Sequence, residues 1–228
     1  MTEKIQQMQQ DLEKRGVKFL PWIGEKYEDG IYYDEEGKLR YGNGKGKKVL
    51  ALGESFYWGE EDEEDTSERN NRTSCSDSFV SNLINQVISE KPDFNIRTFR
   101  RFESAMAYKN KKWDLVERRN FWNHHIFYDY VQEPLKYPRL SPTEEQFKDS
   151  EKSFWEVIEV CKPDIIIAWG KRLYNHLPQE GEQGKDIECD EDSVETWIYR
   201  KNIQVIPIIH PAAPMFSTQV WYNILKQL

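Results

Sequence analysis

Three stretches of this 228-residue chain hold side chains of the kinds that do chemistry. The first is the turn Gly53-Glu54-Ser55-Phe56-Tyr57-Trp58-Gly59. A glycine at a strand end lets the backbone bend sharply and approach a ligand closely. Glu54 comes next among rings, and a partly desolvated carboxylate there can act as general base or position a water. The plain alternative is a solvated loop carboxylate beside packing rings. The second stretch is IIHPAAPMFS, in which His210 stands where an apolar run gives out and Pro211 and Pro214 stiffen the loop after it. A neutral imidazole N–H at such a place can hold a developing oxyanion. Its alternative is a histidine satisfied by a backbone carbonyl. The third is Asn123-His124-His125-Ile126-Phe127-Tyr128-Asp129. Adjacent histidines on a strand face opposite ways, which argues against a metal held by His124 and His125 together. Asn123, Tyr128 and Asp129 can hydrogen-bond the edge of a base, with rings such as Phe56 and Phe79 stacked on its face. Polar side chains that satisfy one another, or face water, are the plain alternative here.

Other chemistry is thin. The chain has no GxGxxG, no Walker phosphate loop, no GxSxG and no HExxH, so no cofactor is expected. Cys75, Cys161 and Cys189 make no CxxC and no Cys/His cluster, which argues against disulfides, structural zinc and an iron–sulfur centre. The net charge is -8, from 32 Lys and Arg against 40 Asp and Glu. Proteins that grip a nucleic-acid backbone normally carry a basic surplus, so any such function must rest on a local patch. The strongest candidate is Arg97, Arg100 and Arg101 with Lys109, Lys111, Lys112, Arg118 and Arg119, although a solvated helix face is the commoner meaning of such a run.

Among the elements that must position these residues, 2–15 reads as an amphipathic helix. Thr2 caps it, Ile5, Met8 and Leu12 make its apolar stripe, and Gly16 stops it. Residues 17–47 are aromatic, glycine-rich and aperiodic, an irregular segment or hairpin. KVLALG (48–53) is a continuous apolar run of the kind covered on both faces. An acidic stretch comes after it, expected to be a mobile surface loop, and then a helix from Ser76 with Phe79, Leu83, Ile84 and Val87 on one stripe. Residues 120–131 read as a strand, 141–163 as a helix with a Thr143/Gln146 capping box, and 164–170 as a third apolar strand before a short helix. The span 179–192 reads as a polar loop, 193–200 as a hairpin arm, 203–210 as the fourth apolar strand and 217–228 as a closing helix. The expectation is one α/β domain over 1–228, a three-layer sandwich around a mainly parallel four-stranded sheet. Ligands of such sheets sit beyond the carboxyl ends of the strands, where Glu54, Arg172 and His210 would gather. No run approaches the roughly 18 apolar residues of a membrane helix, and no apolar signal core begins the chain. A soluble cytoplasmic protein without membrane contact is expected.

Taken together, these pieces resemble the uracil-DNA glycosylase superfamily. The residues that carry the resemblance are KVLALGESFYWG, FYDYV, DIIIAWG and VIPIIHPAAP, within roughly 17–228. FLPWIGEKY and the GES turn are more similar to a poorly characterised branch than to the well-studied uracil-excising enzymes. The resemblance implies hydrolysis of an N-glycosidic bond in DNA, or recognition of a flipped nucleobase. Its alternatives are an inactive nucleotide- or protein-binding module that keeps the fold, and a hydrolase of free nucleosides. It assigns Glu54 or Ser55 to the water-positioning turn and His210 to the donor that steadies the departing base. Asp129 falls at the base-reading position, with Asn123 a less well placed substitute. Phe56 or Phe79 would stack on the base with Tyr57 alongside, and Met215 or Phe216 would wedge the duplex. An ionised Asp129 is acceptor-only, so it would take the N3–H of uracil and repel the O4 carbonyl.

Overall fold

The computed structural model describes residues 2–42, 44, 46–56, 79–92, 96–108, 113–135, 140–189 and 192–228, without the side chains of residues 79, 81 and 192. Tyr57, Trp58, Cys75, the acidic stretch, the start of the helix from Ser76 and Lys109 to Lys112 lie outside that set.

Helix α1 (Glu3–Lys14) is capped by Thr2, whose hydroxyl accepts from the Ile5 N–H, and it buries Ile5 and Leu12. The segment after it is less irregular than its composition suggests. It holds strand β1 (Trp22–Ile23) and the hairpin β2 (Ile31–Tyr33) and β3 (Leu39–Tyr41). Asp34 organises the hairpin turn by accepting from the Glu36 and Lys38 N–H groups and from Arg40. Strand β4 (Val49–Gly53) is buried along its whole length, and helix α2 (Phe79–Val87) buries Val80, Ile84 and Val87.

Two helices occupy stretches where the sequence suggests no more than a solvated helix face for the arginine run. Helix α3 (Arg97–Ala107) buries Phe99, Phe102, Ala105 and Met106, a helical spacing that the eye passes over because arginines interrupt it. Helix α4 (Leu115–Asn123) opens on a capping box between Asp114 and Glu117. The expected strand 120–131 is therefore shorter: β5 runs His125–Asp129 and Asn123 ends the preceding helix. Rings at Phe121 and Trp122 suggest β structure, but the cap three residues before α4's second turn decides the local conformation.

Helix α5 (Glu144–Cys161) has the expected Thr143/Gln146 capping box. After it come β6 (Ile165–Trp169) and α6 (Lys171–His176). The polar span holds β7 (Glu182–Gln183), at an edge of the main sheet, and β8 (Ile187–Cys189), paired with β9 (Asp192–Val194) in a separate two-stranded sheet, so it is not simply a loop. Strands β10 (Trp197–Tyr199) and β11 (Ile203–Ile208) and helix α7 (Thr218–Leu225) complete the described elements.

The main sheet has seven strands, ordered β1-β5-β4-β6-β11-β10-β7, and is mixed rather than four-stranded. Its centre is the parallel set β5-β4-β6-β11, and β1, β10 and β7 add antiparallel edges. Apolar side chains alternate to both faces. Val49, Ala51, Phe127, Ile167 and Ile208 pack with α2, α3, α4 and α7, whereas Leu50, Leu52, Ile126, Ile166 and Val205 pack with α1, α5 and α6. Among the described residues no helix is long and apolar enough to cross a membrane.

One charged pair lies inside the first of these layers. Arg118 of α4 is 7% exposed and its Nε donates to both oxygens of Glu103 on α3, which is 1% exposed. The Trp122 Nε1–H donates to the same carboxylate at 2.9 Å. Burial pushes the Glu103 carboxyl above its usual range against the pull of Arg118. Breaking one partner of such a pair leaves a buried group uncompensated. Arg118→Met is expected to lower stability by about 3–5 kcal/mol, and the double variant Glu103→Leu/Arg118→Met to recover most of that loss, as read by urea unfolding.

Candidate functional site

The parallel register of the four central strands delivers their carboxyl ends to one rim, and three of the singled-out residues stand there. Gly53 ends β4 opposite Asp129 at the end of β5. Leu52 is opposite Ala168, which places Trp169 at the level of Gly53 on its other side, and Trp169 in turn faces Ile208. His210 comes two residues beyond the end of β11.

Gly53 matters for space, not for its dihedral angles. A methyl group at its Cα would come within 2.2 Å of Asp129 Oδ1 and 3.2 Å of the Phe127 ring. The Asp129 carboxyl thus occupies the volume a Gly53 side chain would take. It is 4% exposed, and among the described residues nothing donates a hydrogen bond to it. Burial, with the charge of Glu54 added, pushes the Asp129 carboxyl up to about 7.

Glu54 is 13% exposed and is held by Arg172 at the start of α6. The Arg172 Nε donates to Oε2 at 2.8 Å, its Nη2 donates to Oε1, and its Nη1 reaches the Ser141 hydroxyl. This fork occupies two of the four lone-pair positions of the carboxylate and leaves two for a water or a ligand. The turn is tied down by its backbone as well. Gly53, Glu54 and Phe56 carbonyls accept from the N–H groups of Tyr130, Val131 and Leu135 at 2.8–2.9 Å. Gln132 anchors the same corner: its side-chain oxygen accepts from the Lys18 and Phe19 N–H groups while its own N–H donates to Ser150.

His210 is half-buried and packs edge-on to Trp169 at 6.2 Å between ring centroids. Its Nδ1 accepts from the Ala212 N–H at 3.1 Å. A neutral ring so bonded carries its proton on Nε2, so the structure sets the tautomer and leaves an N–H donor without an acceptor among the described residues. Burial holds the imidazole below its ordinary value; Glu54 opposes that shift and Arg172 adds to it. At neutral pH the ring is an uncharged donor. The loop beyond it is clamped by Arg101 of α3, which donates to the Ala213 and Phe216 carbonyls at 2.8 and 2.6 Å and lies over the Phe216 ring.

The remaining sequence candidates divide. Ser55 is half-buried beside Glu54, and Phe56 is 6% exposed and edge-on to Phe19 at 4.4 Å. Met215 is 74% exposed, whereas Phe216 is 5% exposed under Arg101 and cannot serve as a wedge, which corrects that alternative. Asn123 is also corrected. It sits at the amino end of β5, where its carbonyl accepts from Lys26, and the strand separates it from Asp129 by roughly 13 Å. Both neighbouring histidines are spent on α4 carbonyls, His124 on Asn120 and His125 on Phe121, each at 2.7 Å. Tyr128 is wholly buried on the opposite face of the sheet. Tyr57 lies outside the described residues, as does the Phe79 side chain. The described members of the basic cluster do not form one patch. Arg101 clamps a loop, Arg118 is buried on Glu103 and Arg119 donates to the Ile88 carbonyl, while Arg97 and Arg100 are exposed.

Sequence reasoning puts Arg172 on the rim without giving it a partner, and gives no role to Trp169. Arg172 had a readable signal, a cation two residues past a strand-ending glycine; Trp169 had none, because its importance is a matter of which side chains meet. Its Nε1–H is buried without a partner among the described residues. Comparison with protein-family models and with curated proteins finds no match for the chain.

The position of Asp129 has a measurable consequence. Between the ordinary value of 3.8 and about 7 the unfolded chain has lost a proton that the folded chain keeps. The Asp129 contribution to stability is therefore full below pH 4 and is lost as pH rises to 7. Asp129→Asn is expected to be more stable than the parent at pH 8 by about 1–4 kcal/mol, and little different at pH 4, by urea unfolding at the two pH values. Gly53→Ala is expected to destabilise at either pH by about 1–3 kcal/mol, because the added methyl group evicts the carboxyl.

Proposed function

We propose that the rim cleft is the base-binding site of a DNA N-glycosylase-like hydrolase with a uracil-DNA glycosylase-like core. The observation that carries this reading is the meeting of a held carboxylate, a buried carboxyl that takes no hydrogen bond from the described residues, and an imidazole with a fixed Nε2–H at adjacent strand ends. The extra antiparallel strands lie at the sheet edges and leave that rim to the four parallel strands.

In this reading a nucleotide is flipped from DNA, and its base enters beside Asp129, which bonds the polar edge. Glu54, oriented by Arg172, uses its remaining lone pairs to hold a water against C1′. The water oxygen forms the new bond to C1′, its proton passes to the carboxylate, and the C1′–N bond breaks with its electron pair on the base. The His210 Nε2–H meets the charge that develops on that base. Preorganised neutral donors of this kind act strongly because nothing must reorganise at the moment of reaction. Met215, exposed on the loop clamped by Arg101, is the side chain available to enter the space a flipped base leaves.

One observation favours the second reading, a nucleotide- or protein-binding module without hydrolysis. Arg172 engages both oxygens of Glu54, which weakens it as a base, and three arginines of the basic cluster donate to acceptors of the protein itself. The two readings part on a panel of oligonucleotides bearing altered bases. The hydrolase releases one of those bases, and His210→Ala lowers that rate by about a hundred- to a thousand-fold. Excision as fast in the variant as in the parent removes His210 from the mechanism. Retained binding with no release favours the module. Binding at two salt concentrations then identifies its partner, since phosphate contacts weaken steeply with salt.

A further inference from the structure

We infer that Asp129 reads its ligand as a neutral carboxylic acid, so the cleft selects a base edge that sets one hydrogen-bond acceptor beside one donor, as in a C=O next to an N–H. The inference rests on the base-binding reading above and goes beyond it in naming the edge and the chemical form that recognises it.

The geometry begins with Gly53. Three neighbouring strands present Asp129, Gly53 and Trp169 at one level on one face, and the middle position has no side chain. Asp129 leans across the gap, and Trp169 borders it from the other side. Both flanking groups are buried: the carboxyl is 4% exposed and takes no hydrogen bond from the described residues, and the indole N–H has no acceptor among them. A buried polar group left unpaired costs stability, and such an indole beside a carboxyl and an imidazole at adjacent strand ends marks a place for a polar ligand.

The charge pattern then sets the form of the carboxyl. Among the described residues nothing cationic pairs with it. Arg172 is turned to Glu54, and Arg101 on α3 is turned to the Ala213 and Phe216 carbonyls. Helix α2 contributes no charged residue over Phe79–Val87. The strand β1 is Trp22–Ile23, and Tyr128 of β5 itself lies on the other face. There remain Glu54, whose charge opposes ionisation, and His210, which is uncharged at neutral pH. The carboxyl therefore stays protonated until about neutrality.

A protonated carboxyl offers an O–H and a C=O side by side, the pairing an amide offers, with the added freedom that either oxygen can hold the proton. An ionised carboxyl offers acceptors only and repels a carbonyl. Asp129 therefore does below neutral pH what a side-chain amide would do at every pH, and ceases to do it above.

Free uracil, hypoxanthine and 1,3-dimethyluracil are the probes, with binding followed by calorimetry at pH 5.5 and 8.5. The parent protein is expected to bind uracil and hypoxanthine about thirty-fold more weakly at pH 8.5, where only a few per cent of a carboxyl titrating near 7 remains neutral. Asp129→Asn is expected to bind both at either pH with no such loss. 1,3-Dimethyluracil, in which both ring N–H groups are blocked, is expected to bind neither protein. A parent affinity independent of pH overturns the inference, as does the same pH loss in the Asn variant, tight binding of 1,3-dimethyluracil, or no binding of the two unblocked bases at pH 5.5. The outcome is separate from hydrolysis. Bases that bind with this pH signature while no oligonucleotide is cleaved leave the inference standing and sink the glycosylase; cleavage with no pH signature does the reverse.

Discussion

The structure turns on a carboxyl group that has nowhere else to go. Asp129 lies across Gly53 because neighbouring parallel strands hold the two residues in register and Gly53 has no side chain to keep it out. That contact removes the carboxyl from water without giving it a partner among the described residues. A buried acid so placed is a cost to folding, and proteins retain such costs chiefly where a site needs them. Three features of the rim accompany it: Glu54 is held by its own cation, burial keeps His210 neutral, and the loop carrying His210 is fixed from outside.

Each requirement is met by a different element. Arg172 comes from α6, which starts immediately after the glycine that ends β6, so the guanidinium and the Glu54 turn share an edge. The His210 tautomer is set locally, by the Ala212 N–H two residues on. The loop is held by Arg101, from a helix more than a hundred residues earlier in the chain. Rings form the floor. Phe99, Phe102, Phe127 and Trp169 make edge-on and tilted contacts between 4.8 and 5.6 Å, a layer rigid enough to hold polar groups at its border. Two carboxyls with unlike surroundings, one forked by a guanidinium and one buried bare, are the arrangement from which distinct acid and base roles arise.

The sequence was readable where local physics decides. The Thr2 cap, the Thr143/Gln146 box and the continuous apolar runs of β4, β6 and β11 lie where periodicity and capping chemistry put them, because those signals act over a few residues. Residues 120–131 show the limit. Aromatic β propensity suggests one strand, yet Asp114 and Glu117 have already begun a helix, and propensity is the weaker term beside a satisfied cap. Asn123 is absent from the site for that reason alone. The arginine run was legible as charge but not as fate: Arg101, Arg118 and Arg119 found internal acceptors on the 213–216 loop, Glu103 and Ile88, contacts that residue spacing cannot show.

By itself, the chain determined its α/β class, its principal strands and the residue types that meet at their ends, since each depends on neighbours within a turn or a strand. Only the tertiary structure decided which of those residues share a rim and in what chemical state. Register between strands far apart in the chain brought Asp129 over Gly53, and packing chose Met215 over Phe216 for exposure. The state of the carboxyl came from desolvation and from one neighbouring charge. These are properties of surroundings, and a linear order of residues does not contain its own surroundings until it folds.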